Sequence, residues 1–257
     1  MAIDNEMYDR LSHTWWDEDA FLNLLRSGIN PVRFGYMRRA LTEDLGIDPG
    51  GLKVLDVGSG GGLLAEEFAR LGCAVTGVDP SRESVAVARE HAREEGLRIE
   101  YQVAAGERLP FEDGSFEAAY CCDVLEHVES VPATLAEIAR VLGPGAVFLY
   151  DTVNRTARSR LLMIKIAQEW KLTRWAEPDL HDWHMFVKPA ELEGWLAEAG
   201  FEVRDRVGMA PRQPLSALRA IRTRAKGAID YSELGRRLEM RESRDESSLY
   251  GGYAIRG

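Results

Sequence analysis

Cysteine is scarce. Cys73, Cys121 and Cys122 are the only three in 257 residues, too few and wrongly spaced for a disulfide framework or a cysteine-built zinc site. Cys73 and Cys121 sit among apolar neighbours and read as core. Positive charge is also short: 32 Lys and Arg face 42 Asp and Glu, a net charge of -10. That deficit argues against broad nucleic-acid binding, which needs excess cations to displace counterions. No apolar run approaches the length of a membrane span. The opening "MAIDNEMYDRLSH" has neither the basic start nor the apolar stretch of a secretory signal. Internal repeats and low-complexity linkers are missing too. The expectation is a globular cytoplasmic protein, long enough to bury one sizeable core.

What is present is a regular alternation. Residues 6 to 45 read as helices interrupted near "SGINPV", where Gly28, Asn30 and Pro31 break the pattern. From Lys53 the chain alternates. "KVLDV", "AVTGVD", "RIEYQVA", "SFEAAYCC" and "AVFLYDTV" read as strands, separated by helical stretches such as "LLAEEFARL" and "VPATLAEIARVL". Ser81 is placed to cap the helix after the second strand and Gly96 to stop it. Strands alternating with helices predict a parallel sheet covered on both faces. After Asp151 comes an insertion over residues 155–186. A helix at "KPAELEGWLAEAG", a strand at "FEVRDRVG", a basic helix at "LSALRAIRTRAKGA" and a last strand at "SLYGGYAI" follow.

"VLDVGSGGGLL", residues 54–64, feeds four glycines from an apolar run. Leu63 stands where a dinucleotide fingerprint requires its third glycine, which counts against an NAD-dependent oxidoreductase. No Lys-Ser or Lys-Thr pair follows for a phosphate loop. Glycines here still allow a ligand to approach the backbone closely, and Asp79, ending the second strand, suits ribose hydroxyls.

These residues resemble the class I S-adenosylmethionine (SAM)-dependent methyltransferases. "WWDEDAFLNLLRSGINPVRFGYM", "DVLEHV", "TVNRT" and "HDWHMFVKPAELEGWL" narrow the similarity to the ubiquinone-biosynthesis O-methyltransferases, over roughly residues 12 to 200 and weakly again at "YGGYAI". The resemblance implies a Rossmann-like α/β fold with a mostly parallel, seven-stranded sheet. It also implies one methyltransferase domain over 1–257, divided into N-terminal helices (1–48), SAM-binding core (49–152), lid insertion (153–188) and completion of the sheet (189–257). The implied donor is SAM, and the implied acceptor is a phenolic, catechol-like or quinol small molecule that carries a prenyl chain in the related enzymes. The implied cofactor site comprises Arg33, reaching the carboxylate end of SAM, with Asp56, Gly58, Ser59, Gly60, Gly62, Asp79, Pro80, Glu107 and Cys122. Ala105 departs from the pattern, because many members carry an acidic residue there for the adenine amino group.

In "CDVLEHV", Asp123, Glu126 and His127 fall at i, i+3 and i+4 and share a face on a helical turn. Two readings stay open. His127 takes the acceptor's proton as a general base, or the trio holds Mg²⁺ or another divalent cation. Asn154 and the cluster His181, Asp182 and His184 are expected at the substrate or in the lid, with plain loop packing as the bland alternative for the cluster. The insertion mixes Arg155, Arg158, Arg160, Lys165, Lys171 and Arg174 with Leu161, Leu162, Ile164, Ile166, Trp170 and Trp175. An amphipathic lid is expected, with peripheral contact of residues 155–175 with the inner face of the membrane as a second reading. Trp15 and Trp16 read as staples for the N-terminal helices, with part of the substrate mouth as the alternative. The rival functions are a secondary-metabolism methyltransferase acting on another O, N, S or C acceptor and a noncatalytic SAM-binding module. Oligomeric state is not encoded in any recognisable pattern.

Overall fold

Burial on both faces makes the apolar run at 54–57 a central strand, and it forms β1 (Lys53–Val57). The computed structural model describes residues 5–170, 173–174, 176 and 180–257. It places β2 (Ala74–Asp79), β3 (Ile99–Val103), β4 (Phe116–Cys122) and β5 (Leu142–Val153) in parallel register with β1 or with one another. β6 (Phe201–Pro211), β7 (Met240–Ser243) and β8 (Leu249–Arg256) complete an eight-stranded sheet in the order β3-β2-β1-β4-β5-β8-β6-β7. β8 runs antiparallel between β5 and β6.

The expected sheet had seven strands. The eighth is β7, a four-residue edge that pairs antiparallel with the end of β6, from Gly208 opposite Ser243 to Pro211 opposite Met240. Its sequence, "MRES", carries one apolar residue. A short edge strand open to solvent needs no alternating apolar face and so leaves no signature.

Helices cover both faces. α2 (Asn30–Arg39), α3 (Leu63–Leu71) and α4 (Arg82–Glu94) pack on one side, against Val54, Ala118 and Tyr120. α5 (Val131–Val141) and α7 (Pro189–Glu198) pack on the other, against Leu55, Ala119 and Cys121. The two sets alternate along β1 and β4, as the period of two along a strand requires. Cys73 and Cys121 are buried as expected. Ser81 caps α4, its Oγ accepting from the Ser84 N–H at 3.0 Å, and Gly96 follows the helix with φ +69°.

The N-terminal segment differs from its expectation. α1 (Asn5–Leu11) leads to a helical path that stays unbroken at Gly28 to Pro31. A π turn at Leu25–Ile29 runs straight into α2, with Pro31 in its first turn. Proline is tolerated there because the first turn leaves its N–H groups unpaired anyway. Trp15 and Trp16 staple this segment to the core. Trp15 Nε1–H donates to Ser84 Oγ at 3.0 Å, and Trp16 Nε1–H donates to the Gly61 carbonyl at 3.0 Å.

The insertion begins with α6 (Ala157–Ser159) and continues as a π-helical stretch, Arg160–Glu169. Lys171 and Trp175, named with it above, lie outside the described residues. The basic helix is α8 (Pro214–Ala225), and Arg219, Arg222 and Lys226 are exposed. An unanticipated α9 (Tyr231–Leu238) follows, capped by Asp230 accepting from the Glu233 N–H. α8 and α9 form a hairpin that α9 fastens to the N-terminal segment. Ser232 Oγ–H donates to Asn23 Oδ1 at 2.8 Å, and a Cβ on Gly28 would meet Gly235 Cα at 3.3 Å.

Candidate functional site

The order of the sheet reverses between β1 and β4, and ligands of open α/β sheets bind in the crevice such a reversal opens at the C-terminal strand ends. A cavity of about 830 Å³ lies there, at the upper end of the ~300–1,000 Å³ usual for small-molecule sites. One end is the glycine loop. Gly58, Gly60 and Gly62 have φ of +83°, +49° and +86°, values that side chains rarely adopt. A Cβ on Gly58 would sit 2.1 Å from Val124 Cγ2, and one on Gly61 would strike the Trp15 ring at 2.2 Å. Gly58→Ala is therefore expected to lower stability by about 1–3 kcal/mol and the melting temperature by roughly 2–12 °C. A thermal melt that does not move would contradict this.

The polar groups of that end are buried and partly unpaired. Asp79 accepts from the backbone N–H groups of Gly60 at 2.8 Å and Ser81 at 2.9 Å, and burial raises its carboxyl to about 6. Burial raises Asp56 to about 8, and its Oδ2 has no partner, like Ser59 Oγ nearby. Buried polar atoms are rarely left so, and the arrangement fits a polar ligand. Asp56, Gly58, Ser59, Gly60, Asp79, Pro80, Glu107 and Cys122 all line the cavity. Gly62 is outside the lining and serves as the left-handed N-cap of α3. Ala105 borders the cavity between Ala104 and Gly106. The Glu107 carboxylate is tied to the backbone, accepting from the Glu129 N–H at 2.9 Å.

Arg33 borders the cavity but is only 3% exposed. Its guanidinium donates to both carboxylate oxygens of Asp151, to Asp123 and, at 2.7 Å, to Asn30 Oδ1. The fork expected to reach a ligand carboxylate is closed on these side chains instead. Asp123, at φ +53°, is likewise committed to Arg33, so it stands apart from the trio in which it was expected.

The group that does converge is Glu126, His127 and His181, whose ligating atoms all lie within 4.8 Å of one another. Glu126 accepts from the Thr152 hydroxyl at 2.6 Å through Oε2, while its Oε1 is buried without a partner. Burial holds its carboxyl well above the usual range. Burial pushes His127 down to about 4, and burial together with His127 pushes His181 down to about 3. Both imidazoles are therefore neutral at neutral pH. Their ring centroids are 5.2 Å apart. His127 and His181 face the cavity and Glu126 sits behind them.

Asp182, His184 and Asn154 are not brought to the cavity. Asp182 is exposed and caps the Trp183–Met185 turn, accepting from the His184 N–H. His184 is exposed, and Asn154 Nδ2 donates to the Glu246 carbonyl at 2.8 Å. Tyr8 is a site residue that no motif announces. Its ring meets His127 edge-on at 6.0 Å and stacks with Trp15 at 6.3 Å. Only the folding of α1 over the crevice brings it there.

The rest of the lining is largely apolar but also carries Arg158, Arg212, Arg241 and Asp245. Leu162, Met163 and Ile166 of the insertion form one wall, and Leu218 and Ile221 of α8 another.

Comparison with known proteins adds to this geometry. Residues 55–150 match the model of a methyltransferase domain family. The ubiquinone biosynthesis O-methyltransferase of Paramagnetospirillum magneticum is 39% identical over 209 residues, 79% of this chain and 82% of the relative. That of Nitrosococcus oceani is 38% identical, again covering 79% and 82%. Among solved structures, a magnesium protoporphyrin IX methyltransferase from Synechocystis, with bound SAH, superposes with a TM-score of 0.64 at 19% identity. It covers 99% of this chain and 96% of its own. A SAM-dependent methyltransferase from Aquifex aeolicus gives 0.60 at 16% identity, covering 98% of each.

Proposed function

Because the chain belongs to the ubiquinone biosynthesis O-methyltransferase family and is a SAM-dependent enzyme, we propose that its acceptor is a catechol or quinol bearing an apolar chain. The observation that carries this reading is the single cavity joining the glycine loop to the His127–His181 pair and then to an apolar recess. SAM lies against Gly58, Ser59, Gly60, Asp79 and Ala104–Glu107 in this reading, and the acceptor hydroxyl lies at His127. The sulfonium methyl is already activated, so the protein's work is alignment and proton removal. Neutral His127 takes the proton of the attacking oxygen, and Asp123 is the nearby charge that favours the imidazolium.

The same residues fit a divalent cation: two neutral imidazoles and a buried carboxylate with an unpartnered oxygen. Glu126, His127 and His181 would hold it, without Asp123. Two nitrogen donors suit Mn²⁺ or Zn²⁺ better than Mg²⁺. A cation there would supply Lewis acidity that lowers the acceptor's pKa. The test is methyl transfer to a panel of alkylcatechols and demethylubiquinol analogues, with and without added Mg²⁺, Mn²⁺ or chelator. Turnover of N or S acceptors alone would replace this reading with a secondary-metabolism one.

Donor binding should depend on pH. SAM carries a net positive charge, and a cation beside a carboxyl lowers its pKa. Asp56, raised to about 8 in the free protein, therefore releases its proton on binding. Affinity for SAM rises with pH by up to about tenfold per unit below 8 and levels above it. S-adenosylhomocysteine, which lacks the sulfonium, shows a weaker trend. Calorimetry from pH 6.5 to 9 reads this directly, and Asp56→Asn flattens it. An affinity that falls with pH would reverse the assignment.

A second reading concerns the membrane. Leu161 and Trp170, on the insertion, are 45% and 50% exposed, and they support contact between the lid and a lipid surface. The nearby cations are largely engaged: Arg158 with Asp245 and Lys165 with Glu169. That leaves the apolar pair as the main anchor. Among the described residues no helix is long and apolar enough to cross a membrane. Co-sedimentation with anionic vesicles, lost in a Leu161→Ser, Trp170→Ser double variant, is the expected result.

A further inference from the structure

The α8–α9 hairpin lies beyond the stretch, to about residue 200, over which the sequence resembles the family, yet it builds part of the acceptor cavity. We propose that this hairpin closes the apolar recess and sets the length of chain the acceptor carries. The inference rests on the reading of the acceptor as a catechol or quinol with an apolar tail.

α8 turns two different faces. Ala217, Leu218 and Ile221, at i, i+1 and i+4, border the cavity, whereas Leu215 is 74% exposed on the outside. Leu218 and Ile221 are only half-buried in the protein alone. They are apolar side chains whose remaining surface faces the recess, where a ligand's methylenes would complete the burial. Met163 and Ile166 of the insertion and Ile29 of the N-terminal segment line the same cavity. The recess thus draws its apolar side chains from three elements remote in sequence, while Arg158, Arg212, Arg241 and Asp245 also border the cavity.

The wall is fixed in place. Leu234 of α9 is fully buried beside Leu24 and Ala220. The Ser232–Asn23 hydrogen bond and the Ser232 N–H to Glu18 carbonyl bond fasten α9 to the N-terminal segment. A Cβ on Gly235 would meet Ser27 Oγ at 2.1 Å, so the two segments cross at backbone distance. A wall held so closely can measure a tail, where a loose one would only cover it.

The test measures binding without requiring transfer. Calorimetry follows the affinity of 4-alkylcatechols with tails of two to ten carbons for the full chain in the presence of S-adenosylhomocysteine. Affinity of the wild type is expected to rise by about three- to fourfold per methylene and then stop at a definite length. Leu218→Trp and Ile221→Trp shorten that length, and Leu218→Ala extends it, while S-adenosylhomocysteine affinity stays within about twofold. Leu215→Trp, on the outer face, leaves the profile unchanged. An affinity indifferent to tail length, or a limit moved equally by Leu215→Trp, would overturn the proposal. If tails bind as described but no catechol is methylated, the acceptor reading fails and the hairpin's role as an apolar-chain gauge stands. If short catechols are methylated but longer tails gain nothing, only this inference falls.

Discussion

A His127→Ala enzyme is expected to bind SAM within about threefold of the wild type and to lose about 10²- to 10⁴-fold in turnover. The separation of the two effects follows from the geometry. His127 stands with His181 and Glu126, whereas Asp56, Asp79 and the glycine loop bound the end of the same cavity proposed for the donor. His127 has no charge to lose at neutral pH, because burial holds its imidazole near 4. A base works above its own pKa, so the acid limb of turnover should fall near pH 4 to 5 rather than near 6.5. That limb is a signature that mere packing would not produce. Chelation separates the two activation routes. If chelated wild type keeps its rate and His127→Ala does not, the imidazole acts as base. If chelator, His127→Ala and His181→Ala all remove the rate, and Mn²⁺ restores only the wild type, the three residues act as ligands. Full turnover by chelated His127→Ala would show that neither route operates.

Arg33→Met is expected to destabilise the fold by about 3–5 kcal/mol, as removal of one partner from a buried ion pair commonly does. Asp151 is fully buried, and two of its hydrogen bonds from Arg33 plus one from the Asp123 N–H hold it as a carboxylate. Burial already raises this carboxyl to about 6 with Arg33 holding it down. Without the guanidinium it must take up a proton or remain a buried charge with one donor left. Lysine cannot replace the planar fork that serves Asp151, Asp123 and Asn30 together, so Arg33→Lys should recover little. Arg33→Met with Asp151→Asn should recover part of the loss, since the uncompensated charge is gone. Urea unfolding of the four proteins measures this. A loss under 1 kcal/mol for Arg33→Met would mean that the network contributes no more than a surface pair.

Arg33 also marks where sequence reading meets its limit. Its residue type and the motif around it point to a ligand carboxylate, but the carboxylate it meets belongs to Asp151, 118 positions away. Pairings at such separation leave no local pattern. The same holds for Tyr8, which joins the site only through the path of α1. Short-range signals behave differently. The short apolar runs of β1 and β4 and the capping serine of α4 are visible because each is decided within a few residues. Leu63 at the third glycine position separated a SAM loop from a dinucleotide loop for the same reason. The pairing of Glu126 with His127 was legible from their spacing, but the arrival of His181 beside them depends on how the insertion folds back. α9 had a local signal in Asp230 and Glu233, three apart, and β7 had none.

The crossing of Gly28 and Gly235 has a consequence for how the chain is made. Ser232 and Asn23 are 209 positions apart, so the two segments they join cannot meet until nearly the whole protein has been synthesised. At ~5–20 residues per second, the N-terminal segment waits roughly 10 to 40 s for the hairpin that covers Leu24. During that interval the growing chain exposes an apolar stretch with no native partner. The acceptor recess is thereby assembled late, together with β8, whose residues Leu249–Arg256 are made later still and must enter the sheet between β5 and β6.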